Sequence, residues 1–129
     1  MNIGHKSRLV AIVDDDESVQ RALQDLIESD GLSALCFSSA EQFMESEARG
    51  KAACLIADIR MPGMSGLELQ TQLKAERCRI PIIFITAHGD AEMRIHAMRE
   101  GAVEFLSKPF DDEVFLQAVN AVLDRRRNA

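Results

Sequence analysis

Six polar residues stand where short apolar runs end. Asp14, Asp15 and Asp16 follow Leu9–Val13, Asp58 follows Cys54–Ala57, Thr86 follows Ile82–Ile85, and Lys108 comes just after Val103–Leu106. A single aspartate in such a place is commonly a helix cap or turn residue, and Asp16 reads as the cap of the helix after it. Asp14, Asp15 and Asp58 brought together would be different, because carboxylates about 5 Å apart repel by roughly 3 kcal/mol per pair at an effective dielectric near 20. Repulsion of that size raises carboxyl pKa values unless a cation neutralises it, and hard oxygen ligands with open positions suit Mg2+. Lys108 and one divalent ion would bring such a pocket near neutrality, so that an anionic phosphoryl group could enter. Phosphoryl transfer through a loose transition state needs an in-line nucleophile, a divalent ion and donors for the equatorial oxygens. Asp58 supplies a nucleophilic carboxylate, Asp14 and Asp15 can hold the ion, and the Thr86 hydroxyl and Lys108 ammonium can bind phosphoryl oxygens. Taken singly, Thr86 also reads as a surface turn hydroxyl and Lys108 as a solvated lysine.

These residues can meet only if the runs that precede them lie side by side. Leu9–Val13 is apolar without polar alternation, as a strand buried on both faces would be. Val19, Ala22, Leu23, Leu26 and Ile27 then recur at helical spacing, and Asp30-Gly31 supplies a stop. The alternation repeats. Ala34–Phe37 reads as a strand, and Ser38-Ser39-Ala40-Glu41-Gln42 carries capping-box spacing ahead of Phe43 and Met44. Cys54–Ala57 is a third strand, followed by a Pro/Gly loop and a helix bearing Leu69 and Leu73. Pro81 opens a fourth strand, where it loses little ladder bonding, and Met93, Ala97 and Met98 line a short helix ended by Gly101. Val103–Leu106 is short and carries a charge, which fits a sheet edge; Phe115, Ala118, Val119 and Val122 stripe the last helix. Five βα repeats predict a doubly wound α/β sheet of five parallel strands in the flavodoxin-like order 2-1-3-4-5, with helices on both faces. Ligands bind such sheets beyond the carboxyl ends of the strands, where the strand order reverses.

Composition narrows the classes further. The 129 residues are 47% hydrophobic and 28% charged, which excludes a disordered, collagen-like or disulfide-scaffold chain. A net charge of -6 disfavours direct binding to nucleic acid or anionic lipid. Cys36, Cys54 and Cys78 form no C-x-x-C pair and read as reduced thiols of a cytoplasmic protein. The N-terminal stretch fits neither a secretory signal nor a membrane span. The predicted division is an N-terminal tail at 1–8, one domain at 9–124, and a basic C-terminal tail or linker start at 125–129. There, Arg125, Arg126 and Arg127 complement a helix C-terminus. His5, His88 and His96 lack metal-ligand spacing, and Met61, Met64, Met93 and Met98 read as core and loop filling.

From Leu9 to Leu123 the chain resembles a bacterial two-component response-regulator receiver domain. The likeness is carried by Val13-Asp14-Asp15-Asp16, the loop from Asp58 through Arg60-Met61-Pro62-Gly63-Met64-Ser65-Gly66, Ile85-Thr86-Ala87 and Lys108-Pro109-Phe110. The loop, together with Thr86-Ala87-His88-Gly89-Asp90, most resembles the FixJ-type branch, whose members are usually transcriptional regulators. The resemblance implies that Asp58 accepts a phosphoryl group from a phosphohistidine on a sensor histidine kinase. It also implies that the backbone carbonyl of Arg60 joins Asp15 and Asp58 around Mg2+, and that Lys108-Pro109 is a cis bond. It couples Thr86 to Phe105 as a switch, although Phe105 reads equally as a core phenylalanine. The switch would remodel the face of the fourth helix, fifth strand and fifth helix, the usual site of a phosphorylation-dependent homodimer. DNA would be reached only through a separate output domain, and no membrane is involved. Such a domain catalyses only its own phosphorylation and dephosphorylation.

Two rivals share the architecture. A haloacid-dehalogenase-like phosphatase would use Asp14 as nucleophile with Asp16 beside it, but leaves Asp58 and its loop unexplained and lacks an evident downstream acidic pair. A flavin module would want a glycine-rich phosphate loop and a Trp or Tyr for ring stacking, and the sequence has neither.

Overall fold

The structure is a computed structural model that describes residues 8–87 and 89–128, the last four as backbone only. Five parallel strands form one sheet: β1 (Leu9–Val13), β2 (Ser33–Phe37), β3 (Cys54–Asp58), β4 (Ile82–Thr86) and β5 (Glu104–Ser107), in the order β2-β1-β3-β4-β5. Between and after them come α1 (Glu17–Ser29), α2 (Ala40–Glu45) with a further helical turn at Ala48–Lys51, α3 (Gly66–Ala75), α4 (Ala91–Arg99) and α5 (Asp112–Asn128). The predicted topology is therefore the observed one. The last helix carries its backbone through 125–128, and Arg8 donates from Nη1 to the Leu123 carbonyl at 2.6 Å.

The unbroken apolar runs have a simple origin. Successive side chains of a strand point to opposite faces. Ala11, Val13, Leu55, Ala57 and Phe84 join a core with Ala40, Phe43, Leu69, Leu73 and Ala97, from α2, α3 and α4. Their neighbours Val10, Ile12, Ile56, Ile83 and Ile85 meet Leu23, Ile27, Phe115 and Val119, from α1 and α5. Both faces are dry, so the middle strands have no polar face to show. The edge strands differ: Leu35 on β2 is 47% exposed, and β5 is only partly covered.

Helix starts follow local chemistry. Asp16 caps α1 by accepting the Ser18 N–H at 2.9 Å. Ser39, not Ser38, caps α2 by accepting the Gln42 N–H, and the Gln42 amide oxygen takes the Ser38 N–H instead of completing a capping box. The full reciprocal box is at α3, where Ser65 and Glu68 exchange hydrogen bonds.

Three expectations shift. Strands three and four extend by one residue, so Asp58 and Thr86 are the last residues of β3 and β4 and share the rigidity of the sheet. The fifth strand begins at Glu104, with Val103 held just before it by a 2.8 Å bond to the Ile82 carbonyl. Met98 is 37% exposed because α4 seats on the sheet through Ala97 and, in part, Met93, while position 98 lies about 100° further round the helix.

Candidate functional site

Strand register assembles the site. Val13 pairs with Ala57, which sets Asp14, the next residue, beside Asp58. Asp58 pairs with Ile85 and Thr86 with Ser107, so Thr86 and Lys108 each fall one step further along the same edge. Asp14, Asp15 and Asp58 each offer a carboxylate oxygen, and these oxygens lie within 4.8 Å of one another. Asp14 is 1% exposed and Asp58 9%, whereas Asp15 is open to solvent.

Lys108 completes the cluster. Its ammonium donates to Asp14 Oδ2 at 3.3 Å and lies 3.7 Å from Asp58 Oδ2. The backbone after β5 is tied to β4 by the Lys108 N–H, which donates to the Thr86 carbonyl at 2.9 Å, and Lys108-Pro109 is a cis peptide. The other oxygens are also engaged: Asp14 Oδ1 accepts the Asp16 N–H at 2.9 Å, and Asp58 Oδ1 accepts the Ile59 N–H at 2.7 Å. Burial pushes the Asp14 carboxyl above its ordinary range. The Asp16 N–H and Lys108 oppose that rise, and the Asp58 charge adds to it. Asp16 goes the other way, its carboxyl held down by the Ser18 hydroxyl and N–H.

Thr86 is buried at the mouth of β4, and Phe105 is buried on neighbouring β5. Gly89 packs against both. A Cβ on Gly89 would stand 2.7 Å from Thr86 Cγ2 and 2.8 Å from Phe105 Cε1. Arg60 is solvent-exposed on the loop beyond Asp58. That loop closes through the Gly66 N–H, which donates to the Ile59 carbonyl at 2.8 Å. A Cβ at Gly66 would meet the Asp58 carbonyl oxygen at 2.2 Å, so the loop can return to α3 this tightly only over a glycine.

Residues 10–120 match the response regulator receiver domain family. The chain belongs to that family. Nodulation protein W of Bradyrhizobium diazoefficiens is 47% identical over 119 residues, covering 92% of this chain and 52% of that protein. Transcriptional regulatory protein FixJ of Azorhizobium caulinodans is 41% identical over 116 residues, covering 90% and 55%. The solved structure of the response regulator StyR superposes with a TM-score of 0.86 at 46% identity, over 95% of this chain and 63% of that one. The receiver domain spans about half the length of the curated relatives it matches. It is a signalling domain of the two-component response regulators, and its relatives include transcriptional regulators.

The phosphatase reading on Asp14 gains no support from these relatives. Sequence reasoning missed Gln20, whose amide donates to the Asp14 carbonyl at 2.6 Å and to Ser38 Oγ at 3.1 Å, bracing the β1–α1 loop. Nothing in the spacing marks that glutamine. Cys54 is fully buried, and Cys36 and Cys78 are half-buried. Met61 is buried, and Met64 and Met93 pack partly against the core. His96 is exposed; His5, His88 and the side chains of Arg125, Arg126 and Arg127 lie outside the described residues. Among the described residues no helix is long and apolar enough to cross a membrane.

Proposed function

We propose that this receiver accepts a phosphoryl group on Asp58 from the phosphohistidine of a sensor histidine kinase, and that a divalent ion, Mg2+, serves the transfer. The observation that carries the reading is the meeting of Asp14, Asp15 and Asp58 with Lys108 at one sheet edge. Three carboxylates gathered against a single ammonium cost folding free energy, which a structural role would not require. The donor set fits a hard ion: three carboxylate oxygens lie within 4.8 Å of one another, and one of the three residues is exposed.

Asp14, Asp15, Asp58 and the Arg60 carbonyl would hold Mg2+, which when bound neutralises phosphoryl charge and aligns the reacting oxygens. Asp58 Oδ1 is held by the Ile59 N–H, and Oδ2 points toward the Lys108 side. A carboxylate oxygen of Asp58 attacks phosphorus in line with the phosphohistidine P–N bond. A P–O bond forms, and the electron pair of the broken bond stays on the imidazole nitrogen. Lys108 and the Thr86 hydroxyl stabilise the phosphoryl oxygens, and water later hydrolyses the aspartyl phosphate. The domain is thus a signalling element that catalyses only its own modification.

Thr86 and Phe105, which both lie against Gly89, act as the switch, Phe105 repositioning when Thr86 is drawn to the phosphoryl group. The face made by α4, β5 and α5 reads it out. Ile95 and Met98 on α4 and Val114 on α5 are exposed apolar residues there, which supports a phosphorylation-dependent homodimer or partner contact. The domain occupies 9–124 and works in the cytoplasm; residues 125–128 continue α5 and would lead into a linker instead of forming a separate tail. Transcriptional output would run through a separate DNA-binding domain, a reading supported by relatives about twice as long as the matched region.

Acetyl phosphate with Mg2+ should label the chain, and Asp58→Asn should abolish the label. Persistent labelling of the variant, read by intact-mass spectrometry, would refute the assignment. Gel filtration with and without beryllofluoride tests the output.

A further inference from the structure

The loop between β3 and α3 carries Arg60, and its two ends are well anchored. Gly66 closes the neck onto Ile59, and the Ser65–Glu68 box fixes the helix start. The stretch between has fewer supports. Met61 is held by burial. Among the described residues, the hydrogen bond reaching its far side comes from another element: Glu41 Oε2 accepts the Met64 N–H at 3.0 Å, across 23 positions of sequence.

Gly63 makes that contact possible. Its φ of +75° turns the chain where other residues are strained, and the Glu41 carboxylate occupies the flank a side chain would take, 2.7 Å from an ideal Cβ position. Glu41 is itself firmly placed. It lies in the first turn of α2 between Ala40 and Phe43, both fully buried, and behind the Ser39 cap. The carboxylate is exposed and makes no ion pair among the described residues, so its engagement with the loop is its structural role.

We infer that Glu41 is a positioning residue for the divalent-ion site, holding the Arg60–Met64 segment in the shape that presents the Arg60 carbonyl. The inference rests on the reading above that this carbonyl is a ligand. Mg2+ demands near-octahedral geometry, so a loop ligand that wanders by a fraction of an ångström costs affinity. Supports of this kind typically matter by about 10–100-fold when buried, and this one is solvent-facing, so a loss of about three- to tenfold is expected.

The test is calorimetric titration of Mg2+ into the full chain and its variants, with amide hydrogen exchange at Met64 in the ion-free protein. Glu41→Ala should weaken Mg2+ binding about three- to tenfold and speed Met64 exchange. Glu41→Gln keeps an acceptor oxygen and should stay within about twofold of the parent in both readouts. Glu45→Ala removes the same charge from the same helix and should change neither. Unchanged binding in Glu41→Ala overturns the inference. Equal weakening in Glu45→Ala, or in Glu41→Gln, assigns the effect to net charge and overturns it as well. If Asp15→Asn also binds Mg2+ like the parent, the metal-site reading fails and the inference falls with it.

Discussion

Lys108 Nζ sits 3.3 Å from Asp14 Oδ2, joining residues 94 positions apart through a part-buried contact. The same ammonium is 3.7 Å from Asp58, so a tethered cation already occupies part of the field a divalent ion would use. Lys108→Met removes that competitor. Mg2+ should then bind at least about fivefold tighter by calorimetry, because a unit charge a few ångströms away is worth roughly 1–3 kcal/mol here. Labelling of Asp58 by acetyl phosphate should slow, since the incoming oxygens lose a donor. Weaker Mg2+ binding would instead make Lys108 an organiser of the carboxylates.

Asp14 sets a pH dependence. Its carboxyl is raised mainly by burial, so in the folded state it binds its proton more tightly than in the unfolded chain, where the value is about 3.9. Folding stability therefore falls as pH rises from about 3.9 through the raised folded value, and the penalty is constant above it. Without Mg2+, Asp14→Asn should show the higher urea midpoint near pH 7, with the difference shrinking to nothing below about pH 4. A lower midpoint at neutral pH would mean that the Lys108 pairing outweighs the desolvation of Asp14. Saturating Mg2+ should reverse the order, since the variant lacks a ligand.

Gly66→Ala should reverse the usual helix rule. Alanine ordinarily gains about 1 kcal/mol over glycine in a helix. Here the new Cβ meets the Asp58 carbonyl oxygen at 2.2 Å and Ile59 Cα at 2.9 Å, both backbone atoms of the site. A loss of about 2–4 kcal/mol in urea unfolding and slower Asp58 labelling are expected. Gly50→Ala is the control, because nothing lies within 4 Å of its Cβ position.

Gly89 should couple to Phe105. Gly89→Ala places a methyl against the Phe105 ring and Thr86, both buried and unable to yield freely. Its thermal destabilisation should be smaller in a Phe105→Leu background, with a coupling of about 0.5–3 kcal/mol in the double-mutant cycle. Strict additivity would show that the two positions do not communicate. If Thr86 and Phe105 are the switch, Gly89→Ala should also blunt any beryllofluoride-induced shift in gel filtration.

Runs and periods are local properties, and they were enough for the architecture. Leu9–Val13 or Ile82–Ile85 can only be buried on both faces, and helical stripes between such runs leave a covered parallel sheet as the consistent arrangement. The candidate residues were legible for the same reason: Asp14, Asp15, Asp58, Thr86 and Lys108 all end or follow strands, and parallel strands end on one edge. Through-space relations were not legible. The partnership of Lys108 with Asp14, the bracing of that loop by Gln20, the reach of Glu41 to Met64 and the contact of Gly89 with Phe105 join residues 6 to 94 positions apart. Each depends on strand register and on where a helix seats, as does the exposure of Met98 on a helix held mainly by Ala97. Side-chain proximity across a sheet edge is decided by the packing of the whole domain, and no single segment encodes it.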